Sequence, residues 1–321
     1  MRKATLKLKL LGAVLLGAAL LSPAAHADPF DALRSFNAVI FQNFTSQSSD
    51  VEGTLAVGGN ATLYNYSINQ SNAPYNGYGL VVGGDLTFAN GTVWNGGQTY
   101  YGGTLNSWAV DYTGGTVTTP VTSPVNFGAL QASATSISSN YAGMTVNGST
   151  SYVTPDLVNP AGGGNTQGLK LTGDGTSALQ VFSVDGNLLG GRNEISLSNI
   201  PSFASIVLNV SGANTGLHNL DSSNPFDPYA GRVLLNFFEA TKVTFDHTAP
   251  HASILAPLAT IESSLFGHIA GTVVANAWNG DFQLNVVAVP EPETYAMMLA
   301  GLGLMGFAAR RRKQALNGIA A

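Results

Sequence analysis

Inside this 321-residue sequence the side chains able to do chemistry are few: His218, His247, His251 and His268, a scatter of carboxylates, and no cysteine at all. His247 and His251 stand four apart, the spacing of a helical zinc pair. Pro250 lies between them and no Glu follows His247, so an H-E-x-x-H site cannot form, and neither metal ligand nor cofactor is assigned. A G-x-S-x-G nucleophile elbow and a G-x-x-x-x-G-K-[ST] phosphate loop are both missing. Asp174, Asp185, Glu194, Glu239, Asp246 and Glu262 could supply the acid pair of a polysaccharide-cleaving enzyme, yet the sequence places no two of them at a working separation. The calcium-binding G-G-x-G-x-D repeat is absent, and Asp221 to Asp227 does not follow the EF-hand pattern. The expectation is a protein that is not an enzyme.

Aromatic residues form the one dense cluster. Tyr64, Tyr66, Tyr75, Tyr78, Trp94, Tyr100, Tyr101, Trp108 and Tyr112 lie among Asn, Gly and Gln. Exposed, such rings could stack on sugar faces while neighbouring amides bond hydroxyls; buried, they are core. Both readings stand at this point, because Tyr and Trp suit strands as well as binding surfaces.

Short strands must hold these rings. Two Leu-x-Val-Gly-Gly-Asx units, at Leu55 to Asn60 and Leu80 to Asp85, sit 25 residues apart, within the range of one solenoid coil. Further strands are expected at Gln180 to Val184, Ile206 to Val210, Arg232 to Phe237, Lys242 to Phe245, Ser253 to Pro257, Ala259 to Glu262 and Gly267 to Ala275. Between Pro124 and Met144 the pattern changes: Leu130, Ala134, Ile137 and Tyr141 share one helical face, with Ser123 or Asn126 as cap. Ser222 to Tyr229, containing prolines, reads as a surface loop. N-x-[ST] triplets such as Asn43-Phe44-Thr45 and Asn60-Ala61-Thr62 read as by-products of Asn and Thr abundance.

The two ends differ from the interior. Arg2, Lys3, Lys7 and Lys9 precede uncharged Leu10 to Leu21 and then Ala25-His26-Ala27, a signal peptide whose A-x-A site, Ala25 and Ala27, directs cleavage after Ala27. At the other end Val289-Pro290-Glu291-Pro292-Glu293-Thr294 leads into an uncharged run from Tyr295 to Ala309, closed by Arg310, Arg311, Arg312 and Lys313. That run spans about 22 Å as a helix, short of the ~30 Å hydrocarbon core, and its basic end belongs on the cytoplasmic side. Between the ends, five basic residues face sixteen acidic ones, a balance of −11. Nucleic acid is excluded as a partner, since phosphate binding needs clustered Lys and Arg.

The C-terminal pattern closely resembles the PEP-CTERM sorting signal. The resemblance implies processing by an exosortase, transient passage through the inner membrane, and delivery to the outer surface or extracellular matrix of a Gram-negative exopolysaccharide producer. An ordinary tail anchor would not need the Pro-Glu-Pro preface. Asp50 to Leu63, Val233 to Thr241, Ile254 to Pro257 and Gly271 to Ala275 resemble the choice-of-anchor A family, whose members are secreted surface proteins with an adhesive, β-helix-like domain. A helix beside a solenoid is also similar to secreted ice-binding proteins, for which a flat array of Thr would be expected; only Thr113 to Thr119 hints at one.

The reading is therefore an all-β, β-solenoid-like chain with one helix packed alongside, plus an N-terminal signal helix and a C-terminal transmembrane helix. Its parts are a signal peptide (1–27), a passenger (28–288), the sorting signal (289–313) and a cytoplasmic tail (314–321). The expected role is a non-enzymatic adhesin or biofilm-matrix component that contacts exopolysaccharide or other surface glycans. A carbohydrate-active enzyme and an ice-binding protein are the alternatives.

Overall fold

Turn residues cut the passenger into strands that pair, in parallel, with the equivalent strand one coil away. The computed structural model describes residues 29–119, 122–153, 168–189, 194–218, 225–264 and 266–287; both expected terminal helices lie outside the described residues. Eighteen strands form one coiled sheet, the expected β-solenoid. On its first face Leu55–Val57 lies between Ala38–Ile40 and Tyr78–Val82. On its second face Ala61–Ile68 lies between Phe44–Val51 and Leu86–Val93. These longer strands turn a corner where Ser48, Asn65, Asn90 and Ala109 stack with φ of 53°, 50°, 51° and 54°. Asn tolerates that left-handed conformation better than most residues, so the corner explains part of the Asn richness. Beyond it, residues 49–51, 66–68 and 91–93 form a third face. In later coils His247 and Phe266 take similar left-handed positions before Pro250 and His268–Ala270, respectively, with the Ala270 N–H bonded to the Pro250 carbonyl.

The Gly-Gly-Asx units form the corner between the first and second faces. Gly58, Gly83 and Gly102 stack directly, with the Gly58 N–H donating to the Ile40 carbonyl (2.8 Å), Gly83 to Val57 (2.7 Å) and Gly102 to Val82 (2.9 Å). A Cβ on any of them would strike the carbonyl of the coil beneath. Next to this stack runs an Asx ladder. The Oδ1 of Asn43 accepts from the Asn60 N–H (3.0 Å), that of Asn60 from the Asp85 N–H (2.9 Å), and that of Asp85 from the Thr104 N–H (2.6 Å). The two repeats read from sequence thus belong to a run of four coils. The triplets Asn43-Phe44-Thr45 and Asn60-Ala61-Thr62 occupy equivalent coil positions.

Coil order departs from chain order. Ala38–Ile40 pairs with Leu55–Val57 on one side and with Val273–Gly280 on the other, so the N-terminal coil sits mid-stack. The chain winds outward through Leu105–Asp111 to the short strand Val117–Thr118, and a helix (α1, Phe127–Ala142) then runs along the first face. Coils restart at Leu179–Asp185 and wind back until Val273–Gly280 and Gln283–Asn285 meet Phe44–Val51. A separate three-stranded sheet, Ser149–Val153, Gly168–Thr172 and Glu194–Ser198, adds Leu169 and Leu171 to the solenoid core.

Residues alternate along each strand, so the coil interior is lined by Phe44, Leu63, Phe88, Phe245 and Trp278, all buried. The outward side chains of the first face are also apolar, and Val39, Ala56, Val81, Leu234, Leu255 and Val274 form a second buried cluster under α1. Asn126, one of the two cap candidates, accepts from the Ala129 N–H at 3.0 Å. The expected apolar stripe faces inward: Ala134, Ile137 and Tyr141 are buried and Leu130 is packed against the cluster. A buried polar chain docks the helix. Ser138 Oγ donates to Asn236 Oδ1 (2.6 Å), Asn236 Nδ2 donates to the Ser138 carbonyl and to Asn209 Oδ1, and Asn209 Nδ2 donates to the Tyr141 carbonyl. Within the loop expected at the surface, Phe226 is fully buried and Tyr229 nearly so, because a short 3-10 turn, Asp227–Tyr229, folds them onto the core.

Candidate functional site

The fold sorts the aromatic cluster into separate environments. Tyr66 and Tyr100 are 1% and 6% exposed, so for these two a sugar-stacking role is corrected: the first points into the coil and the second lies under α1. Burial pushes the Tyr66 hydroxyl well above its ordinary pKa, only partly offset by Ser46 and Ser49. Tyr101 and Tyr112 pack against the core at the end of the stack, where the Tyr112 hydroxyl meets Ser107 Oγ at 2.9 Å and burial raises its pKa. Tyr75 and Tyr78 bridge a turn on the helix side, with the Tyr75 and Phe36 rings 4.2 Å apart. Trp94 is exposed beside the third face, its indole N–H donating to Ser67 Oγ at 3.4 Å.

Tyr64 and Trp108 remain, 45% and 49% exposed, on the second face. In register both flank Ala89, which points outward yet is only 1% exposed. Two coils separate the rings, about 9.6 Å along the solenoid axis at the usual strand spacing. Beside this row runs another: Thr45, Thr62 and Thr87 stack in register, continuing to Asn106 on one side and to Asn279, Glu262 and Thr244 on the other. Sequence reading missed this Thr ladder and looked instead to Thr113 to Thr119. Thr45, Thr62 and Thr87 each stand two places after their coil's Asx (Asn43, Asn60 and Asp85), and that constant offset was the available signal.

Where the N-terminal coil meets the last C-terminal coil, the second face carries an open groove of about 450 Å³ between Tyr64, Gln47, Thr244, Glu262 and Asp281. Glu262 Oε2 is held by Lys242 Nζ at 2.7 Å, and Asp281 Oδ1 accepts from the Gln47 N–H at 3.3 Å. The groove is thus hydroxyl- and amide-rich with an acidic edge. Rings that stack and side chains that donate and accept around them suit uncharged polyols; the acidic edge disfavours polyanions.

The remaining candidate carboxylates hold structure. Asp174 accepts from Thr176 N–H, Ser177 N–H and Gln180 Nε2, which keep its carboxyl far below the usual range. Asp185 Oδ1 accepts from Asn187 and Glu239 from the Gly212 N–H, while Glu194 is buried. Asp246 lies 2.7 Å from His247 Nδ1 and 3.8 Å from His218 Nδ1. His251 is apart from His247 and meets His268 instead, Nε2 to Nε2 at 3.0 Å.

The sorting residues Val289 to Thr294, the basic cluster Arg310 to Lys313, and Ala25 and Ala27 lie outside the described residues. Residues 288–313 match the PEP-CTERM protein-sorting motif, which implies export, membrane transit, processing by exosortase and a place at the surface of a Gram-negative bacterium. Residues 29–286 match a family described as an ice-binding-like adhesive domain, which supports an adhesin-like rather than enzymatic role. No curated protein matches the sequence. The match along residues 29–286 covers most of the chain, and to the ice-binding-like adhesive domain family this chain belongs.

Proposed function

We propose that the protein is a non-enzymatic surface adhesin whose second face holds uncharged polysaccharide of the cell's own extracellular matrix. The observation that carries this reading is the pair of exposed rings, Tyr64 and Trp108, set two coils apart on an uncovered face beside hydroxyl and amide side chains. The first face is closed by α1, so it offers no comparable surface.

The route of the chain supports the same assignment. Asn37 Nδ2 donates to the carbonyls of Gly271 and Asn285, and the Val286 N–H donates to Glu52 Oε2. The first coil therefore begins, and the last one ends, mid-stack at the corner between the third and first faces. In a three-sided coil that corner is opposite the second face. A tether leaving residue 287 toward the sorting signal holds the second face away from the membrane, both before exosortase acts and afterward if the mature end stays attached. Removal of residues 1–27 and cleavage near Pro290 complete the maturation in this reading.

The test is binding of the purified protein to neutral and acidic fractions of matrix polysaccharide, with the Tyr64→Ala/Trp108→Ala double variant alongside. Retention of the neutral fraction by the wild type and loss in the variant are expected; equal retention by both proteins overturns the reading. Ice binding is favoured by the Thr45, Thr62 and Thr87 ladder, but Tyr64 and Trp108 stand beside it and break the flatness that an ice surface needs. Thermal hysteresis in the wild type, unchanged by the double variant, would establish that second reading.

A further inference from the structure

We propose that His251 and His268 form a site for a late first-row divalent metal ion, Zn²⁺ being the probe, with water in the remaining coordination positions. The two imidazoles come from separate coils, 17 residues apart, and aim their Nε2 atoms at each other at 3.0 Å. Two nitrogens bound to one tetrahedral Zn²⁺ at ordinary bond lengths stand about 3.3 Å apart, so the rings need to open by only a few tenths of an ångström. The rings are 5.2 Å apart at their centroids and tilted by 40°, an arrangement of converging edges rather than stacked faces.

The far side of His251 is built as metal-bound histidines are. Its Nδ1 is paired with the Asp227 carboxylate, which accepts the Nδ1 proton and leaves the Nε2 lone pair free. No group of three His, Cys, Asp or Glu side chains among the described residues makes a cage, which restricts the site to two protein nitrogens. Two imidazoles select Zn²⁺, Cu²⁺ or Ni²⁺ over Mg²⁺ and Ca²⁺, which require oxygen donors. Such an ion would join the turn before Ser253–Ser264 to the third face, and through Asp227 would also pin the Asp227–Tyr229 turn.

The experiment is calorimetric titration of ZnCl₂ into the purified full chain, with His251→Asn, His268→Asn and Asp227→Asn as variants and His247→Asn as control. One equivalent of Zn²⁺ taken up by wild type and by His247→Asn, at least tenfold weaker in either ligand variant, is the expected result. Loss of the outer carboxylate is expected to weaken uptake by about tenfold or more. Ring ¹⁵N resonances of wild type give a readout independent of any variant's folding: Zn²⁺ should shift two Nε2 signals together. Absence of stoichiometric uptake by wild type, or uptake that persists with two unshifted Nε2 signals, overturns the proposal.

Discussion

Substituting Gly83 by Ala tests the coil geometry at one of its close backbone approaches. Gly83 has no left-handed φ to relax, so the whole effect is steric. Its new Cβ would be driven into the Gly58 carbonyl oxygen and lie 3.1 Å from the carbonyl carbon. The obstruction is backbone, which cannot swing aside like a flexible side chain. Relief requires parting the coils, at the expense of the Gly83 N–H to Val57 bond (2.7 Å) and the Gly102 N–H to Val82 bond (2.9 Å) stacked on it. Overpacking costs about 1–3 kcal/mol and each weakened bond about 0.5–1.5 kcal/mol, while reduced freedom of the unfolded chain returns about 0.4–1 kcal/mol. A net loss of about 3 kcal/mol lowers Tm by about 6–12 °C for a domain of this size. Gly128, in the first turn of α1, is the internal control, since its nearest obstruction is Asn126 Oδ1 at 3.8 Å. Gly128→Ala should gain up to about 1 kcal/mol from helix propensity. Urea and thermal unfolding by circular dichroism measure both; a Gly83→Ala midpoint within about 2 °C of wild type would refute direct coil stacking at the Gly-Gly corner.

Other consequences can be checked with the same preparations. Tyr64→Ala and Trp108→Ala should each weaken polysaccharide binding by about 2- to 12-fold, the worth of a 0.5–1.5 kcal/mol ring contact, with unchanged Tm, as read by affinity electrophoresis. Asn236→Ala strands Asn209 Oδ1 and the Ser138 hydroxyl and carbonyl in a buried site, and should cost at least about 2 kcal/mol in urea unfolding. Asp174 has a folded pKa below its unfolded value, so its stabilisation is complete above about pH 3.8 and is lost as the pH falls through the folded pKa. Asp174→Asn should therefore be less stable than wild type at pH 7, with the difference closing in strong acid.

How much of this was legible depended on whether a feature is local in sequence. The helix was, because Ala134, Ile137 and Tyr141 recur at 3.6-residue spacing and Asn126 can cap from its own side chain. The Leu-x-Val-Gly-Gly-Asx coils were partly legible, since Gly58 and Gly83 lie in near-identical units. The third Gly pair, Gly102 and Gly103, follows Tyr101 rather than Val and escaped notice. Burial of Tyr66 and exposure of Tyr64 were not legible. The two differ only in lying on opposite sides of Asn65, whose left-handed φ turns the chain through a corner and upsets the alternation a straight strand would impose. Long-range pairings such as His251 with His268, or Ala38–Ile40 with Val273–Gly280, depend on coil order, which no local pattern encodes.

That coil order bears directly on how the protein presents itself. A sequentially wound solenoid would release its C-terminus from one end of the stack, leaving its long faces beside the tether. Here the last coil closes onto the first one, and residues 283–287 leave beside Asn37 and Glu52 at the middle of the stack. In the proposed adhesin, if its mature C-terminal end stays attached, load would be carried across parallel ladders on both sides of the attachment point rather than peeling coils one by one from an end. The pairing of Val273–Gly280 with Ala38–Ile40 and Phe44–Val51 becomes the seam on which both halves depend. Phe44 stacks on Trp278 at that seam, ring centroids 6.0 Å apart and planes within 12°. Trp278→Ala should cost about 3–5 kcal/mol, and because the seam joins the halves it should uncouple them, giving two unfolding transitions in calorimetry where wild type gives one. A single, merely shifted transition would show that the halves stay coupled through α1 instead.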